Sequence, residues 1–233
     1  MIIFNDSMSN NTLGAIMVKN WERARTEEQK EIREEEIFHA AKTLLLEHGF
    51  AEVTLSEIAN SVSFSRANLY KYYDSTQNIY LALLGREMLN FSFLFLEKAK
   101  RKKSTHTKKA DVIEEFVRDW VIITEKQACL RLLLSISTTI LERNCTEEVF
   151  IESKKASTVA TITLSEGISY YFPKLTDPQT SDFVTFLMIT LSGLTTSSGL
   201  TQEQKRTLKK EGMGIMAWEY KPIYTKLIRE YLS

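Results

Sequence analysis

Residues 54–80 read TLSEIANSVSFSRANLYKYYDSTQNIY. The pattern predicts two short helices, Leu55 to about Ser61 and Ser65 to about Tyr73, parted by a turn around Val62, Ser63 and Phe64. On a wheel at 100° per residue, Leu69 and Tyr73 stand one turn apart on one face and are the natural core anchors. Ala67, Asn68 and Lys71 fall opposite, flanked by Tyr70 and Tyr72, while Ser65 and Arg66 occupy the first turn. Polar groups and one small side chain thus collect where packing cannot use them.

That distribution suits a helix lying in the major groove of DNA. Arg66 can donate a pair of hydrogen bonds to a guanine edge or grip a phosphate, Asn68 can pair in bidentate fashion with adenine, and Ala67 can sit against a thymine methyl. Lys71, Tyr70 and Tyr72 have the reach for phosphates, which set register without carrying sequence information. Thr54 and Ser56 place hydroxyls at the start of the preceding helix, which would cross the backbone, and a helix beginning near Ser75 and Thr76 offers another N-terminus to a phosphate. Tyrosines at one-turn spacing are also common packing residues, and Tyr73 is read that way.

Working outward, the chain has 233 residues, enough for one or two domains with a sizeable core. Eight glycines, three prolines and helical spacing of apolar residues nearly throughout predict an all-α fold. Thirty basic residues balance thirty acidic ones, so any nucleic-acid contact must come from locally sorted charge. Cys129 and Cys145 lack metal or disulfide spacing and His39, His48 and His106 are scattered, so neither a metal nor a cofactor is expected. No Ser/His/Asp or Cys/His arrangement, carboxylate cluster or glycine-rich phosphate loop points to an enzyme. MIIFND has no signal-peptide features, and the apolar run Phe183 to Leu194 is shorter than the roughly 18 residues a bilayer needs. These features lead us to expect a cytoplasmic protein without a membrane partner.

Residues 1–25 lack a sustained period and read as a flexible arm carrying Lys19, Arg23 and Arg25, with Met8 and Met17 as alternative starts. Thr26 and Gln29 fit a capping box opening a first helix that Gly49 closes after His48. A long helix is expected from Thr76 to Arg101, capped by Asp74 or Ser75, followed by the basic linker KRKKSTHTKK. That basic run would lie on the order of 37 Å down the helix from its start, too far for a second DNA patch. Further helices are predicted at about 110–126, 128–143, 146–171, 178–197 (capped by Asp177), 202–211 and 215–232.

The stretch from about residue 30 to 85, with its LYKYY block, resembles the helix-turn-helix of the tetracycline-repressor (TetR/AcrR) family. LRLLLSISTTILERNCTEE and LTQEQKRTLKKEGM are similar to one branch of that family's regulatory domain. The resemblance implies a helix-turn-helix DNA-binding domain at 26–75 and a helical regulatory and dimerisation domain at 76–233. It implies a homodimer on a palindromic double-stranded operator, released by a small apolar effector, with DNA contacts at Thr54, Ser56, Ser65, Arg66, Ala67, Asn68, Tyr70, Lys71, Tyr72 and Thr76.

Met88, Phe91, Phe95, Trp120, Leu133 and Ser137 are candidate effector-pocket residues, although core packing explains each taken singly. Phe183, Phe186, Ile189, Leu194, Trp218, Ile223 and Leu227 are candidates for the dimer surface, because the small-residue run TLSGLTTSSGL permits close helix approach. Two positions depart from the family pattern. Val62, Ser63 and Phe64 replace its usual Ala-Gly-Val turn, and Thr76 stands where a phosphate-binding lysine is usual. The alternative on the same scaffold is a DNA-bound architectural or cell-cycle protein with protein partners and no effector.

Overall fold

A computed structural model describes the backbone of residues 10–101, 108–198, 202–213 and 220–233, and within it the side chains of 28–101, 108–196, 206–213 and 220–233. Every described element is helical. The chain divides into two compact units, one ending at Tyr72 and the other beginning at Tyr73.

The first unit comprises α1 (Asn10–His48), α2 (Leu55–Asn60) and α3 (Arg66–Leu69). α1 is one 39-residue helix, so Thr26 is an interior residue and not its cap. The expected arm over 1–25 is therefore helical from Asn10; residues 1–9 lie outside the described residues. Between Asn10 and Arg25 the only helix breaker is Gly14, and Leu, Ala, Met, Glu, Arg and Lys carry the helix onward by propensity without an apolar period. Gly49, at φ 81°, ends α1 in a conformation that a side chain would strain. Its N–H donates to the Leu45 carbonyl at 2.9 Å. Ile37, Phe38, Ala41, Leu45, Ile58, Ala59 and Leu69 are the buried apolar residues around which α2 packs on α1 and α3 on α2.

The second unit holds α4 (Thr76–Lys100), α5 (Lys109–Glu125), α6 (Ala128–Ile136), α7 (Glu147–Ser169), α8 (Asp177–Ser198), α9 (Gln202–Lys210) and α10 (Tyr220–Leu232). A π-helical segment, Ser137–Leu141, continues α6. There the Ser137 and Ser192 hydroxyls both donate to the Leu134 carbonyl, at 2.9 and 3.1 Å, competing with the regular ladder. Caps follow side-chain chemistry. Ser75 accepts from the Asn78 N–H, and Thr146 accepts from the Val149 N–H. α8 is capped one residue earlier than expected, because Thr176 and Gln179 form the reciprocal box and Asp177 becomes the first helical residue.

α4 and α7 pack along most of their length. Small residues make this possible: a Cβ on Gly85 would lie 3.1 Å from the Ala156 Cβ, and one on Gly167 would lie 2.8 Å from the Phe95 ring. By length and composition α4 is the one described helix that could cross a membrane, but Ile79, Leu83, Leu84, Phe91 and Phe95 on it are buried in this core.

α10 lies antiparallel to α5, tied by Lys109 to the Ser233 carbonyl, Glu114 to Arg229 and Glu125 to Lys221. Residues 215–219, expected to open α10, lie outside the described residues, as do 102–107 of the linker. No disulfide joins Cys129 and Cys145.

Candidate nucleic-acid interface

The reading segment keeps the division its wheel predicts. Leu69 is fully buried, while Ser65, Arg66, Ala67, Tyr70 and Lys71 are exposed and Asn68 and Tyr72 are half-buried. Only Arg66 to Leu69 is α-helical, shorter than the expected run to Tyr73. Beyond it the chain closes in tighter turns, with the Lys71 N–H donating to the Asn68 carbonyl at 3.1 Å and the Tyr72 N–H to the Leu69 carbonyl at 2.9 Å. Ser65 is its N-cap by backbone geometry and makes no side-chain capping bond.

The turn before α3 does without glycine. No described residue other than glycine has a positive φ, so Val62, Ser63 and Phe64 need no left-handed geometry. Side chains hold the turn instead. Glu36 on α1 accepts from both the backbone N–H and the hydroxyl of Ser63. The Arg33 guanidinium lies 5.5 Å from the centre of the Phe64 ring, which in turn lies 6.3 Å from Tyr72.

Thr54 is a cap. Its backbone N–H and its hydroxyl donate to a Glu57 carboxylate oxygen at 2.7 and 2.8 Å, and the hydroxyl accepts from the Glu57 N–H at 3.3 Å. These bonds hold the Glu57 carboxyl below the usual carboxylate range. A phosphate contact from the Thr54 hydroxyl therefore requires this box to open. The T-x-x-E spacing was its local signal. Ser56 faces α3: Arg66 Nη2 donates to its Oγ at 2.6 Å and to the Tyr70 hydroxyl at 3.1 Å. Neither Glu36 nor Glu57 was among the expected site residues, and only Glu57 had a motif by which to find it.

Thr76 belongs to the second unit, half-buried in the first turn of α4 behind the Ser75 cap. Nearby, Asn78 donates to Asp74 and accepts from the Thr146 N–H at 2.9 Å, tying the head of α4 to the head of α7.

Of the candidate pocket residues, Phe91, Phe95, Trp120 and Leu133 are fully buried, Ser137 is buried and Met88 half-buried. The Trp120 ring meets Phe91 and Phe95 edge-on at 5.1 and 4.9 Å and stacks on Phe116 at 5.8 Å. Trp120 Nε1 donates to the Tyr224 hydroxyl at 2.8 Å, which donates to the Leu187 carbonyl at 2.9 Å. Complete burial pushes the Tyr224 phenol far above its ordinary value, so it remains a donor.

Among the dimer candidates one correction is required. Phe183 is fully buried against Phe116 and Tyr231 and presents nothing to a partner. Ile189 is 68% exposed, Phe186, Leu194, Ile223 and Leu227 are half-buried, and Trp218 lies outside the described residues. Among the described residues no three His, Cys, Asp or Glu side chains are grouped to hold a metal ion.

A three-helix unit displaying a short polar helix, joined to a larger helical body, is the organisation of a helix-turn-helix regulator. Residues 37–83 match the family described as bacterial regulatory proteins, tetR family, and residues 96–233 match the tetracyclin repressor-like C-terminal domain. The chain belongs to the TetR family of transcriptional regulators.

Similar proteins include the helix-turn-helix-type regulator YfiR of Bacillus subtilis, 34% identical over 59 residues, or 25% of this chain and 29% of that protein. A regulator of the same type from Mycobacterium tuberculosis is 30% identical over 121 residues, 52% of this chain and 47% of its own length. The chain thus spans less than half the length of these curated relatives.

Two solved structures share the fold. The fatty acid degradation regulator FadR of Bacillus halodurans has TM-score 0.52 and 17% identity over 86% of this chain and 94% of its own. A TetR transcription regulator of Haloarcula marismortui has TM-score 0.54 and 18% identity over 87% and 97%.

Proposed function

We propose that this regulator works as a cytoplasmic homodimeric repressor that places two copies of α3 in successive major grooves of a palindromic operator. The observation that carries this reading is the exposed polar face opposite the fully buried Leu69. In this reading Asn68 and Ala67 meet base edges, and Ser65, Arg66, Tyr70, Lys71, Tyr72 and Thr76 set register on the backbone. Thr54 and Ser56 shape α2 so that it crosses the phosphates. A second copy is required because so short a helix reads few base pairs.

On α8 the exposed Thr185, Ile189, Gly193 and Thr196 form one stripe of mostly small residues, the surface we assign to the partner helix, with Phe186, Leu194, Ile223, Leu227 and Trp218 around it. The body then takes a small apolar effector among Met88, Phe91, Phe95, Trp120, Leu133 and Ser137, favouring one of two arrangements of α4. Closed packing of Trp120 against Phe91 and Phe95 favours the second reading, an architectural protein without an effector.

Selection of bound duplexes from a random pool tests the first part. Two inverted half-sites about one helical turn apart are expected, and an unsymmetrical single site would refute the dimer. A thermal-shift screen with small apolar compounds separates the two readings of the body, since a bound effector raises the melting temperature in proportion to its concentration above Kd.

A further inference from the structure

Arg66 can make the parallel fork that guanine O6 and N7 accept in two ways, Nη1 with Nη2 or Nε with Nη2, and both need Nη2. Here Nη2 reaches the Ser56 hydroxyl oxygen on α2 at 2.6 Å and the Tyr70 hydroxyl oxygen at 3.1 Å. The guanidinium carbon also lies 5.6 Å from the centre of the Tyr70 ring. Both Nη2 hydrogens are committed, and what remains, Nε–H and the Nη1 pair, does not form a fork. Reading a guanine would exchange two charge-assisted hydrogen bonds within the protein for two on the base, with no net gain in bonds. A phosphate oxygen needs only one further donor, which Nη1 supplies without disturbing either bond.

We propose that Arg66 reads no base and is a positioning residue. Braced by Ser56 and Tyr70, it sets α3 against α2 and grips a phosphate through Nη1, leaving base discrimination to Ala67 and Asn68. This rests on the reading of α3 as the groove-facing helix.

The test uses the full chain as wild type, Arg66→Gln and Arg66→Lys, each put through duplex selection and then through binding to the wild-type consensus and to a scrambled duplex at several salt concentrations. Expected is the same consensus for all three. Arg66→Gln weakens binding to both duplexes by a similar factor and reduces the slope of log K against log salt by about 0.9, the signature of one lost phosphate contact. Arg66→Lys, which keeps the charge, keeps the slope and the consensus, and it carries the test if the glutamine variant does not fold. A consensus that loses a guanine in each half-site in either variant overturns the proposal. So does an Arg66→Gln slope equal to wild type. If the wild type selects no consensus at all, the groove-facing reading of α3 fails, an outcome distinct from failure of the Arg66 assignment.

Discussion

Removing one oxygen, in Tyr224→Phe, tests how the regulatory body is held. The Tyr224 hydroxyl is the acceptor for Trp120 Nε1 at 2.8 Å and the donor to the Leu187 carbonyl at 2.9 Å, and all three residues are fully buried. Without it the indole N–H has no acceptor and no access to water, a loss of about 1–3 kcal/mol. The Leu187 carbonyl lies inside α8 and is left with its helical role alone, so it adds less. We expect a total of about 2–3 kcal/mol, with no cavity term because the ring is unchanged. For a chain of this size that corresponds to a fall in Tm of about 4–10 °C. Urea unfolding followed by tryptophan fluorescence, with Trp120 as the reporter, and by far-ultraviolet circular dichroism gives the number. A variant within about 0.5 kcal/mol of wild type would show that α5, α8 and α10 are joined by apolar packing alone.

Two further outcomes follow from geometry. Gly167→Ala drives a methyl to 2.8 Å from the Phe95 ring, so overpacking should destabilise the body by about 1–3 kcal/mol in the same urea titration, and Phe95→Leu should relieve part of it. The Arg229 fork holds the Glu114 carboxyl below the usual carboxylate range, so the pair's contribution is fully present above the unfolded value of about 4.3 and disappears as pH falls through the lower folded one. Both side chains are about half exposed, so solvent screening limits this to about 0.2–1 kcal/mol. Wild type and Glu114→Gln should differ in urea midpoint at pH 7 and converge near pH 3.

Much of this was legible in the sequence where the signal is local. Leu69 and Ala67 were sorted to opposite faces by a wheel alone, and the Ser75 and Thr146 caps are written in adjacent residues. What escaped depends on partners far along the chain. Nothing near Ser63 announces that Glu36, 27 residues earlier, will take its N–H, so the missing glycine looked like a defect in the turn. Phe183 looked like surface because its helix is apolar on several sides, and only the arrival of Tyr231 from α10 shows which side is core. The helix upstream of Thr26 was missed because propensity without periodicity leaves no stripe to find. Arg66 was identified as a candidate, but its brace from Ser56, ten residues away on another helix, was not.

The central claim is that the half-buried Asn68, on the short helix whose Leu69 is fully buried, meets a base edge. It is tested most directly by measuring wild type and folded Asn68→Ala against the selected operator and against duplexes changed at single positions, at fixed low salt. The account predicts that Asn68→Ala loses about 1–3 kcal/mol on the operator and no longer distinguishes adenine at one position of each half-site, while its binding to scrambled duplex is unchanged. Full discrimination by folded Asn68→Ala, or no binding of duplex DNA by the wild type, would contradict it.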